Sequence, residues 1–278
     1  MSTLKGEGEM VSVTGAVSAR VSQFQAALQR KSFSHYRESF AEDLSFTEAV
    51  GKYPDRNALY AYMHHYLKYL APEELREHRS YFSSHRRGFG EDAFHAMWWL
   101  LLREYQPRYC LEIGVYRGQV TSLVGLIAKL CAFECEVHGI SPFSPAADTV
   151  SKYLKNIDYL EDTLASNRRF GLPDPQFLKA LSTDTVAVQH IRSKVWNLIY
   201  IDGNHDYEVA LADYTLCRDS LAPGGLLVMD DSSLYTDYRP AKFSFGGHPG
   251  PSRVVKELAS SELRFLGGVG HNNVFSNR

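Results

Sequence analysis

Acidic residues and a histidine stand at the ends of two apolar runs, where they could hold a metal ion or accept a proton. The run V-W-N-L-I-Y-I-D-G-N-H contains Asp202 and His205, and the run L-L-V-M-D-D ends in Asp230 and Asp231. Adjacent parallel strands lie about 4.8 Å apart, so acids at the ends of neighbouring strands can converge on one ion. We predict a metal site at Asp202, Asp230 and Asp231, and an all-carboxylate set favours Mg²⁺, Mn²⁺ or Ca²⁺ over zinc. The alternative is that Asp231 caps the following turn and Asp202 orders the glycine loop.

His205 is the candidate general base, three residues after Asp202 in a predicted loop. An alcohol is a poor nucleophile, and a metal can orient it and make its proton easier to remove. A histidine that titrates near neutral pH can then accept that proton. We predict that His205 and Asp202 are catalytic. The alternative is that His205 only fixes its loop through hydrogen bonds.

A glycine turn follows another apolar run, R-Y-C-L-E-I-G-V-Y-R-G, in which Glu112 precedes Gly114 and Gly118. Glycine allows a tight turn and lets a ligand approach the backbone closely. Because Tyr116 stands where the G-x-G-x-x-G fingerprint needs its middle glycine, a nicotinamide oxidoreductase ranks last among the functions considered. We expect Gly114→Val to abolish cofactor binding and to leave the fold intact. The alternative is an ordinary glycine turn that joins a strand to a helix.

Alternating helical and strand patterns after Gly90 must position these residues. Apolar runs predict strands over 108–114, 135–140, 176–181, 195–202 and 226–231, with two short strands around Phe265 and Val274. Helical spacing predicts helices over 91–105, 121–130, 151–167, 207–221 and 252–260, with a Gly/Pro-rich loop over 243–251. This alternation implies right-handed βαβ units in a mainly parallel α/β sheet, whose ligands lie beyond the carboxyl ends of the strands.

The chain before this region divides into two parts. Residues 1–14 are small, polar and Gly-rich, so we predict that they are disordered. Residues 15–89 are predicted to form an N-terminal helical region, with helices starting at Asp55 and Pro72. The basic, aromatic stretch 78–90 is predicted to be a connector or flap, and 90–278 the catalytic domain.

Composition argues against several classes of protein. The 30 basic and 32 acidic side chains leave a formal charge of -2, which lacks the basic excess of a nucleic-acid-binding surface. No stretch approaches the apolar length that spans a bilayer, and the N-terminus has acids and glycines where a signal peptide needs an apolar core. We therefore predict a cytoplasmic protein with no nucleic-acid or membrane partner. The four cysteines lie in or beside apolar runs and are predicted to be reduced core thiols.

These motifs together resemble class I S-adenosylmethionine methyltransferases. Within that class they resemble the metal-dependent O-methyltransferases that include macrolide-sugar, aminocoumarin-sugar and cephalosporin-tailoring enzymes. The resemblance covers about residues 90–278, and its most specific part is D-G-x-H-x-Y followed by P-G-G and a paired acid. It implies a Rossmann-like fold with a seven-stranded sheet between helices, S-adenosylmethionine as cofactor, and Mg²⁺ or another hard divalent cation.

The resemblance also implies roles for individual residues. Predicted cofactor contacts are Glu112, Gly114, Gly118, Ser141, Asp184 and Asp202. Ser141 departs from the pattern, because an acid normally stands there and binds the ribose hydroxyls; a serine offers only neutral hydrogen bonds. Asp184 matches the region that contacts adenine, and its alternative role is that of an acid at a helix N-terminus. A histidine at the spacing of His205 is the base in related sugar methyltransferases.

We therefore expect an O-methyltransferase that acts on a hydroxyl of a small acceptor, either a sugar or a sugar-bearing natural product. The loop 243–251 and the N-terminal helices would cover the acceptor, with Tyr235, Tyr238 and Arg239 as pocket candidates. The stretch 78–87 would meet an anionic acceptor such as a nucleotide sugar, or form a solvated linker. Competing hypotheses are a tailoring protein associated with cephalosporin hydroxylation and a non-catalytic binding protein that kept the fold. The sequence leaves the oligomeric state open, homo-oligomers included.

Overall fold

The N-terminal helices begin where the sequence offers capping residues. The computed structural model describes residues 40–145 and 153–278, together with 17, 20, 21, 23–29 and 31; the predicted disordered stretch 1–14 lies outside them. The first four helices bounded here are α1 (Phe46–Lys52), α2 (Arg56–Tyr69), α3 (Glu73–Ser83) and α4 (Asp92–Tyr105). The Asp55 side chain caps α2 by accepting the Ala58 amide, which confirms the predicted start.

Helix α3 corrects the predicted connector. Residues 78–83 are helical, so the irregular segment starts only at Ser84. Leu75, His78 and Phe82 are all buried, and their spacing places them on one face of the helix. The basic residues around them hid this pattern in the sequence.

A seven-stranded sheet forms the centre of the molecule, as predicted. Its strands are β1 (Tyr109–Ile113), β2 (Glu136–Ser141), β3 (Gln176–Lys179), β4 (Trp196–Ile201), β5 (Leu221–Met229), β6 (Arg264–Val269) and β7 (Asn272–Ser276), in the order β3-β2-β1-β4-β5-β7-β6. The pairs among β1 to β5 are parallel, whereas β7 runs antiparallel to both β5 and β6. From β1 the chain continues to β2 and β3 on one side of the sheet, and it then crosses to β4 on the other side of β1. The point between β1 and β4, where the strand order changes direction, is where α/β sheets bind ligands.

The connecting helices match the predicted order except for the helix Thr185–Arg192, which was not predicted from the sequence, and the others differ from the prediction at their ends. They are α5 (Gln119–Leu130), α6 (Tyr159–Arg169), α7 (Thr185–Arg192), α8 (Tyr207–Asp219), α9 (Pro249–Val254) and α10 (Ser260–Glu262), with a π-helical turn Val255–Ala259 between the last two. The helix predicted from Ser151 starts only at Tyr159, because Asp158 caps it by accepting the Glu161 amide; residues 151 and 152 lie outside the described residues. The loop predicted over 243–251 ends early, since Pro249 already begins α9.

Two apolar cores lie on opposite faces of the sheet. Along β4, Leu198 and Tyr200 join a core formed with α1, α2, α4 and α5, whereas Ile199 and Ile201 join a core formed with α7, α8 and α9. This alternation is the period of a strand whose two faces are both covered. The N-terminal helices are therefore one layer of the sandwich that holds the site.

Two predictions from composition, on the cysteines and on membrane-spanning segments, can be compared with the structure. The four cysteines are free thiols, with Cys110 and Cys217 buried. In the part of the chain that the structure describes, no helix has both the length and the apolar character needed to cross a membrane.

Candidate active site

A cavity of about 680 Å³ opens at the carboxyl ends of the central strands and brings together most of the predicted site residues. Those that line it are Glu112, Gly114, Ser141, Asp202, His205, Asp230 and Asp231. Gly118 and Asp184 lie outside its lining. Residues that were far apart in the sequence therefore share one space, as the predicted sheet requires.

Backbone hydrogen bonds that continue the parallel ladder set this convergence. The Gly114 amide donates to the Ile140 carbonyl at 2.9 Å, the Asp202 amide to the Ile113 carbonyl at 2.8 Å, and the Asp230 amide to the Ile201 carbonyl at 3.0 Å. The first residue after each of β1, β4 and β5 is thus fixed beside its neighbour. The acids predicted at the ends of β4 and β5 meet because these strands are adjacent.

Gly114 is required by the fold itself. Its φ is +98°, and a Cβ atom there would lie 1.8 Å from the Asp202 carbonyl oxygen. The expectation that Gly114→Val leaves the fold intact is therefore wrong, because the added atoms would collide with the β4 loop before they reached a ligand. Gly118 is the N-cap residue of α5, with a φ of +79°, and a Cβ atom there would lie 2.5 Å from Thr163 Cγ2.

Glu112 presents a buried carboxyl group to the cavity. Burial raises its pKa to about 8, opposed by a hydrogen bond from the Thr121 amide. Its Oε2 atom has no hydrogen-bond partner among the described residues. A cationic ligand group would favour the ionised form of this carboxyl and would supply that partner.

Ser141 and Asp184 are both engaged by their own loops. The Ser141 hydroxyl donates to the Val115 carbonyl at 2.7 Å and accepts from the Phe143 amide at 3.3 Å. The only proton of this hydroxyl is therefore donated within the protein, and its oxygen can still accept a hydrogen bond from a ligand. Asp184 is exposed at the start of α7 and accepts the Leu181 amide at 2.9 Å, in line with its alternative role at a helix N-terminus.

Histidines join the acidic cluster. His205 Nε2 lies 3.0 Å from Asp231 Oδ2, and His248 Nε2 lies 3.6 Å from the same oxygen. His271 Nε2 lies 3.3 Å from Asp230 Oδ1 and 3.6 Å from Asp231 Oδ1. Two sets therefore have donor atoms close enough to hold a cation: His205, Asp231 and His248, and Asp230, Asp231 and His271. These groups differ from the predicted all-carboxylate set in that they include imidazoles, which two loops bring to the strand ends.

The charges of this cluster are strongly coupled. Burial and the neighbouring charges of Asp230 and Asp231 raise the pKa of Asp202 well above its usual range. Although burial opposes ionisation, His271 and the hydrogen bond from Asp202 lower the pKa of Asp230 to about 2. Although burial also opposes the imidazolium form, Asp230 raises the pKa of His271 to about 9. An imidazolium thus balances part of the negative charge.

His271 was not predicted from the sequence. It precedes β7, and the antiparallel pairing of Met229 with Asn273 brings it beside the end of β5. Arg56 fixes this turn from α2: its guanidinium is buried and donates to the carbonyls of Gly270 at 3.0 Å and Asn272 at 2.9 Å. The signal that would have found His271 is the sheet order, since the last hairpin lies against β5.

Only some of the residues predicted for the acceptor pocket line the cavity. Tyr235, Tyr238 and Arg239 lie outside the cavity lining, and Tyr238 is buried against Tyr60 and Arg56. The loop predicted to cover the acceptor does line the cavity, through Phe243, Phe245 and His248. Three residues of the N-terminal segment, Gln25, Ala26 and Gln29, also line it.

Comparisons with known proteins agree with this architecture. Residues 111–232 match a family model described as a methyltransferase domain. No curated protein matches the chain. An O-methyltransferase from Bacillus cereus, solved with S-adenosylhomocysteine, is similar at a TM-score of 0.52 and 15% identity, over 77% of this chain and 96% of that one. The O-methyltransferase TomG from Streptomyces achromogenes, solved with S-adenosylmethionine, is similar at a TM-score of 0.50 and 13% identity, over 81% and 99%.

A third solved structure has the same fold. The methyltransferase PaMTH1 from Podospora anserina is similar at a TM-score of 0.52 and 14% identity, over 77% of this chain and 92% of that one. At these identities the likeness shows the fold, and the methyltransferase assignment comes from the family match. The match over residues 111–232 and the Rossmann-like class I fold together show that this part of the chain is a methyltransferase domain.

Proposed function

We propose that the chain is a divalent-metal-assisted O-methyltransferase that methylates a hydroxyl of a sugar or of a sugar-bearing natural product. The observation that carries this proposal is the single cavity that joins the glycine turn at Gly114 to the cluster of Asp202, His205, Asp230 and Asp231. Methyl transfer needs both parts within reach of each other, because the donor and the acceptor react in one space. A cavity of this size encloses ligands of several hundred daltons.

S-adenosylmethionine supplies an electrophilic methyl group on a sulfonium. The cavity residues would bind and orient it: the glycine turn leaves room for the ligand, and Glu112 places a carboxyl near its positive charge. His205 would accept the acceptor's proton, while Asp231 Oδ2, which lies 3.0 Å from His205 Nε2, fixes the orientation of the ring.

The residues present fit a divalent cation. Asp230 and Asp231 offer oxygen donors within 4.8 Å of a ring nitrogen of His271, and Asp202 adjoins Asp230. Asp202, Asp230 and Asp231 would hold the ion, and a bound cation would lower the pKa of an acceptor hydroxyl. The imidazoles widen the range of acceptable ions towards Mn²⁺.

A carbohydrate acceptor is supported by the mixture of groups on the cavity wall. Glu91 and Asn204 offer hydrogen-bonding atoms, and Phe243 and Phe245 expose 50% and 45% of their surface beside them. Sugars present hydroxyls at their edges and C–H groups on their faces, and this wall has partners for both.

Cation binding can be tested without knowing the acceptor. Protein freed of metal would be titrated with Mn²⁺ by electron paramagnetic resonance, for the wild type and for the double variant D230N/D231N. We expect one bound ion in the wild type and at least tenfold weaker binding in the variant. Asp219→Asn, an exposed acid at the end of α8, is the matched control. Equal Mn²⁺ binding by the wild type and the double variant would refute the site.

The acceptor class needs an activity measurement. Transfer of a labelled methyl group from S-adenosylmethionine would be assayed against nucleotide sugars, glycosylated natural products and simple phenols, with and without chelator. We expect products from the sugar acceptors alone, with activity lost in chelator and restored by Mg²⁺ or Mn²⁺. Methylation of phenols alone would refute the sugar assignment, and full activity in chelator would refute metal assistance.

A further inference from the structure

A group of possible cation ligands that contains two imidazoles lies beside the predicted metal site. His205, Asp231 and His248 each present one donor atom, these atoms lie within 4.8 Å of one another, and all three residues line the cavity. The ion site predicted from the sequence uses the carboxylates of Asp202, Asp230 and Asp231 alone. The two groups therefore share Asp231 and differ in the chemistry of their other donors.

The distances within this group suit a small divalent cation. Asp231 Oδ2 lies 3.0 Å from His205 Nε2 and 3.6 Å from His248 Nε2. A tetrahedral ion with bonds of about 2.0–2.1 Å to nitrogen and oxygen holds its donor atoms about 3.3 Å apart. The two imidazole rings lie against each other, with centroids 4.2 Å apart. Small rotations of these side chains would therefore bring all three donors to bonding distance from one ion.

The two carboxylate oxygens of Asp231 face different sides of the cluster. Oδ1 lies 3.6 Å from His271 Nε2, whereas Oδ2 faces His205 and His248. Asp231 can therefore bind one ion through Oδ1, together with Asp230, and still present Oδ2 to another. An ion at the predicted metal site leaves the donors of the imidazole-containing group in place.

Backbone contacts fix His248 beside Asp231 independently of the imidazole. The His248 amide donates to the Asp231 carbonyl at 2.7 Å, and Ser232 pairs with Gly247 in an antiparallel bridge. Gly247 has a φ of +113°, and a Cβ atom there would lie 2.5 Å from the same Asp231 carbonyl oxygen. Glycine allows this close approach of the two backbones. The loop therefore places the third ligand before any ion binds.

The three side chains are sheltered and still reach the cavity. The exposed fractions are 12% for His205, 14% for Asp231 and 22% for His248. Partial burial strengthens the attraction between a cation and a carboxylate, because fewer water molecules screen the charges. The exposed remainder leaves room for water to complete the coordination of an ion.

We propose that His205, Asp231 and His248 form a second divalent-cation site, which selects Zn²⁺ or Co²⁺ over Mg²⁺ and Mn²⁺. Imidazole nitrogen is a good ligand for zinc and cobalt, whereas Mg²⁺ is bound through oxygen donors. Mn²⁺ is the weakest binder among the divalent first-row transition metals at such sites. Two imidazoles and one carboxylate, with a further position open to water, form a ligand set that suits zinc.

An ion at this second site should inhibit methyl transfer, a consequence that rests on the proposed function. There His205 accepts the proton of the acceptor hydroxyl. A neutral imidazole has one free nitrogen lone pair, and an ion bound at Nε2 uses it, so the ring can no longer accept a proton. Zn²⁺ would therefore inhibit at a site different from the one that Mg²⁺ fills.

Cobalt binding tests the second site without an acceptor. Protein freed of metal would be saturated with Mg²⁺ and titrated with Co²⁺ while the visible absorption is recorded, because four-coordinate Co²⁺ absorbs far more strongly than octahedral Co²⁺. We expect one strongly absorbing Co²⁺ per chain in the wild type and at least about tenfold weaker binding in His248→Ala and in His205→Ala. His65→Ala is the matched control and should bind Co²⁺ like the wild type, because its imidazole packs against Phe40 and Tyr69 outside the cavity lining.

Two further variants and ions separate this site from the proposed metal site. Asp230→Asn should keep the Co²⁺ absorption, and His248→Ala should keep the Mn²⁺ binding measured by electron paramagnetic resonance. A thermal melt of each variant distinguishes lost binding from lost folding. The proposal is overturned by Co²⁺ absorption that is absent from the wild type, persists in folded His248→Ala or is lost in folded Asp230→Asn. A wild type that binds Co²⁺ in this way but no Mn²⁺ would refute the proposed metal site and support the second site alone.

Discussion

Asp231 adopts a backbone conformation that few residue types tolerate. Its φ is +49°, and it directly follows Asp230 at the end of β5. In an extended chain two successive side chains would point to opposite faces of the sheet. The left-handed turn instead directs both carboxylates into one cavity, and aspartate is among the residues that accept this conformation. The paired acid is therefore a pair in space as well as in sequence.

A methyl group at Gly114 should damage the fold. Gly114→Ala places Cβ within 1.8 Å of the Asp202 carbonyl at φ +98°, so we expect the free energy of unfolding to fall by about 3 kcal/mol or more. Chemical denaturation would measure it. Gly125→Ala is the control, because Gly125 lies inside α5 and a Cβ atom there would lie 3.6 Å from Leu172, an ordinary contact distance. This change should raise the free energy of unfolding by about 0.5–1 kcal/mol. A Gly114→Ala protein with wild-type stability would contradict the geometry.

Removal of the imidazole at position 205 should affect the reaction and spare the cofactor. His205→Ala is expected to lower turnover about 10²- to 10⁴-fold and to leave the affinity for S-adenosylhomocysteine nearly unchanged. The acidic limb of the pH–rate profile should also disappear, because a protonated imidazole cannot accept a proton. Turnover of a methylated acceptor and calorimetric titration are the two measurements.

The control for His205→Ala is His65→Ala, which removes an imidazole packed between Phe40 and Tyr69, outside the cavity lining. Wild-type turnover in His205→Ala would leave deprotonation to the metal or to an aspartate. Lost cofactor affinity would point to a structural role instead.

The strand-end acids were predictable and His271 was not, for a physical reason. Asp202, Asp230 and Asp231 follow long apolar runs, and the ends of such runs are visible in the sequence. His271 reaches the site only because β7 inserts between β5 and β6. Pairing between distant strands depends on packing that local patterns do not record.

Three helices meet through a buried chain of polar groups. His78 of α3 contacts His95 of α4 at 3.1 Å and Ser122 of α5 at 2.9 Å, and all three side chains are buried. Such contacts satisfy donors and acceptors in the core and favour one arrangement of the helices. Because His95 also lines the cavity, this cluster supports the wall near Arg79.

Acid should weaken this junction. Burial lowers the pKa of His78 to about 3, with a smaller effect from the charge of Arg79, against about 6.5 in the unfolded chain. A lowered pKa stabilises the native state above pH 6.5, and that stability is lost as pH falls from 6.5 towards 3. Each unit of pH in that window should cost about 1.4 kcal/mol. Urea denaturation at pH 7.5 and 5.5 would measure it.

The variant for that experiment is His78→Gln, which cannot titrate. It should lose about 1 kcal/mol less than the wild type between these two pH values, since one titrating group is gone. His95 keeps part of the slope, because burial lowers its pKa in the same direction. An unchanged slope in His78→Gln would contradict the prediction.

Helix existence was predictable to a greater degree than helix ends. The apolar spacing before Asn167 continues upstream of the true start, yet Asp158 terminates the helix by capping its first amides. Near the C-terminal helices, the π-helical turn over 255–259 inserts extra backbone between α9 and α10, which a regular period cannot show. The helix predicted as far as Leu221 ends at Asp219, because Leu221 already pairs with Trp196 in the sheet.

At the scale of the whole molecule, the N-terminal helices and the sheet share one core. Ten of the fourteen residues of α2 are buried, and Trp98 of α4 packs edge-on against Tyr200 of β4, with ring centroids 5.1 Å apart. The division at residue 89 remains a prediction of sequence organisation. The packing gives no reason to expect independent folding on either side of it.

A fragment of residues 90–278 should therefore fail to fold. It would expose the surfaces of α4 and β6 that α2 covers, including buried Met97. We expect a protein of residues 40–278 to give a cooperative thermal melt and dispersed amide resonances, and the shorter fragment to give neither. A cooperative melt of the shorter fragment would contradict the shared core.

Arg56 has a consequence for engineering and for divergence among relatives. Its guanidinium lies on α2 and donates to Gly270, Asn272 and Asn273 at the other end of the sequence. An exchange of N-terminal helices between two such enzymes, intended to transplant acceptor preference, would bring a foreign residue against this hairpin. The recipient's His271 would then rest on a turn shaped for a different donor. Chimeras should fold and function only when the β6–β7 hairpin is exchanged together with α2. The segments that must be transferred together are therefore far apart in the sequence.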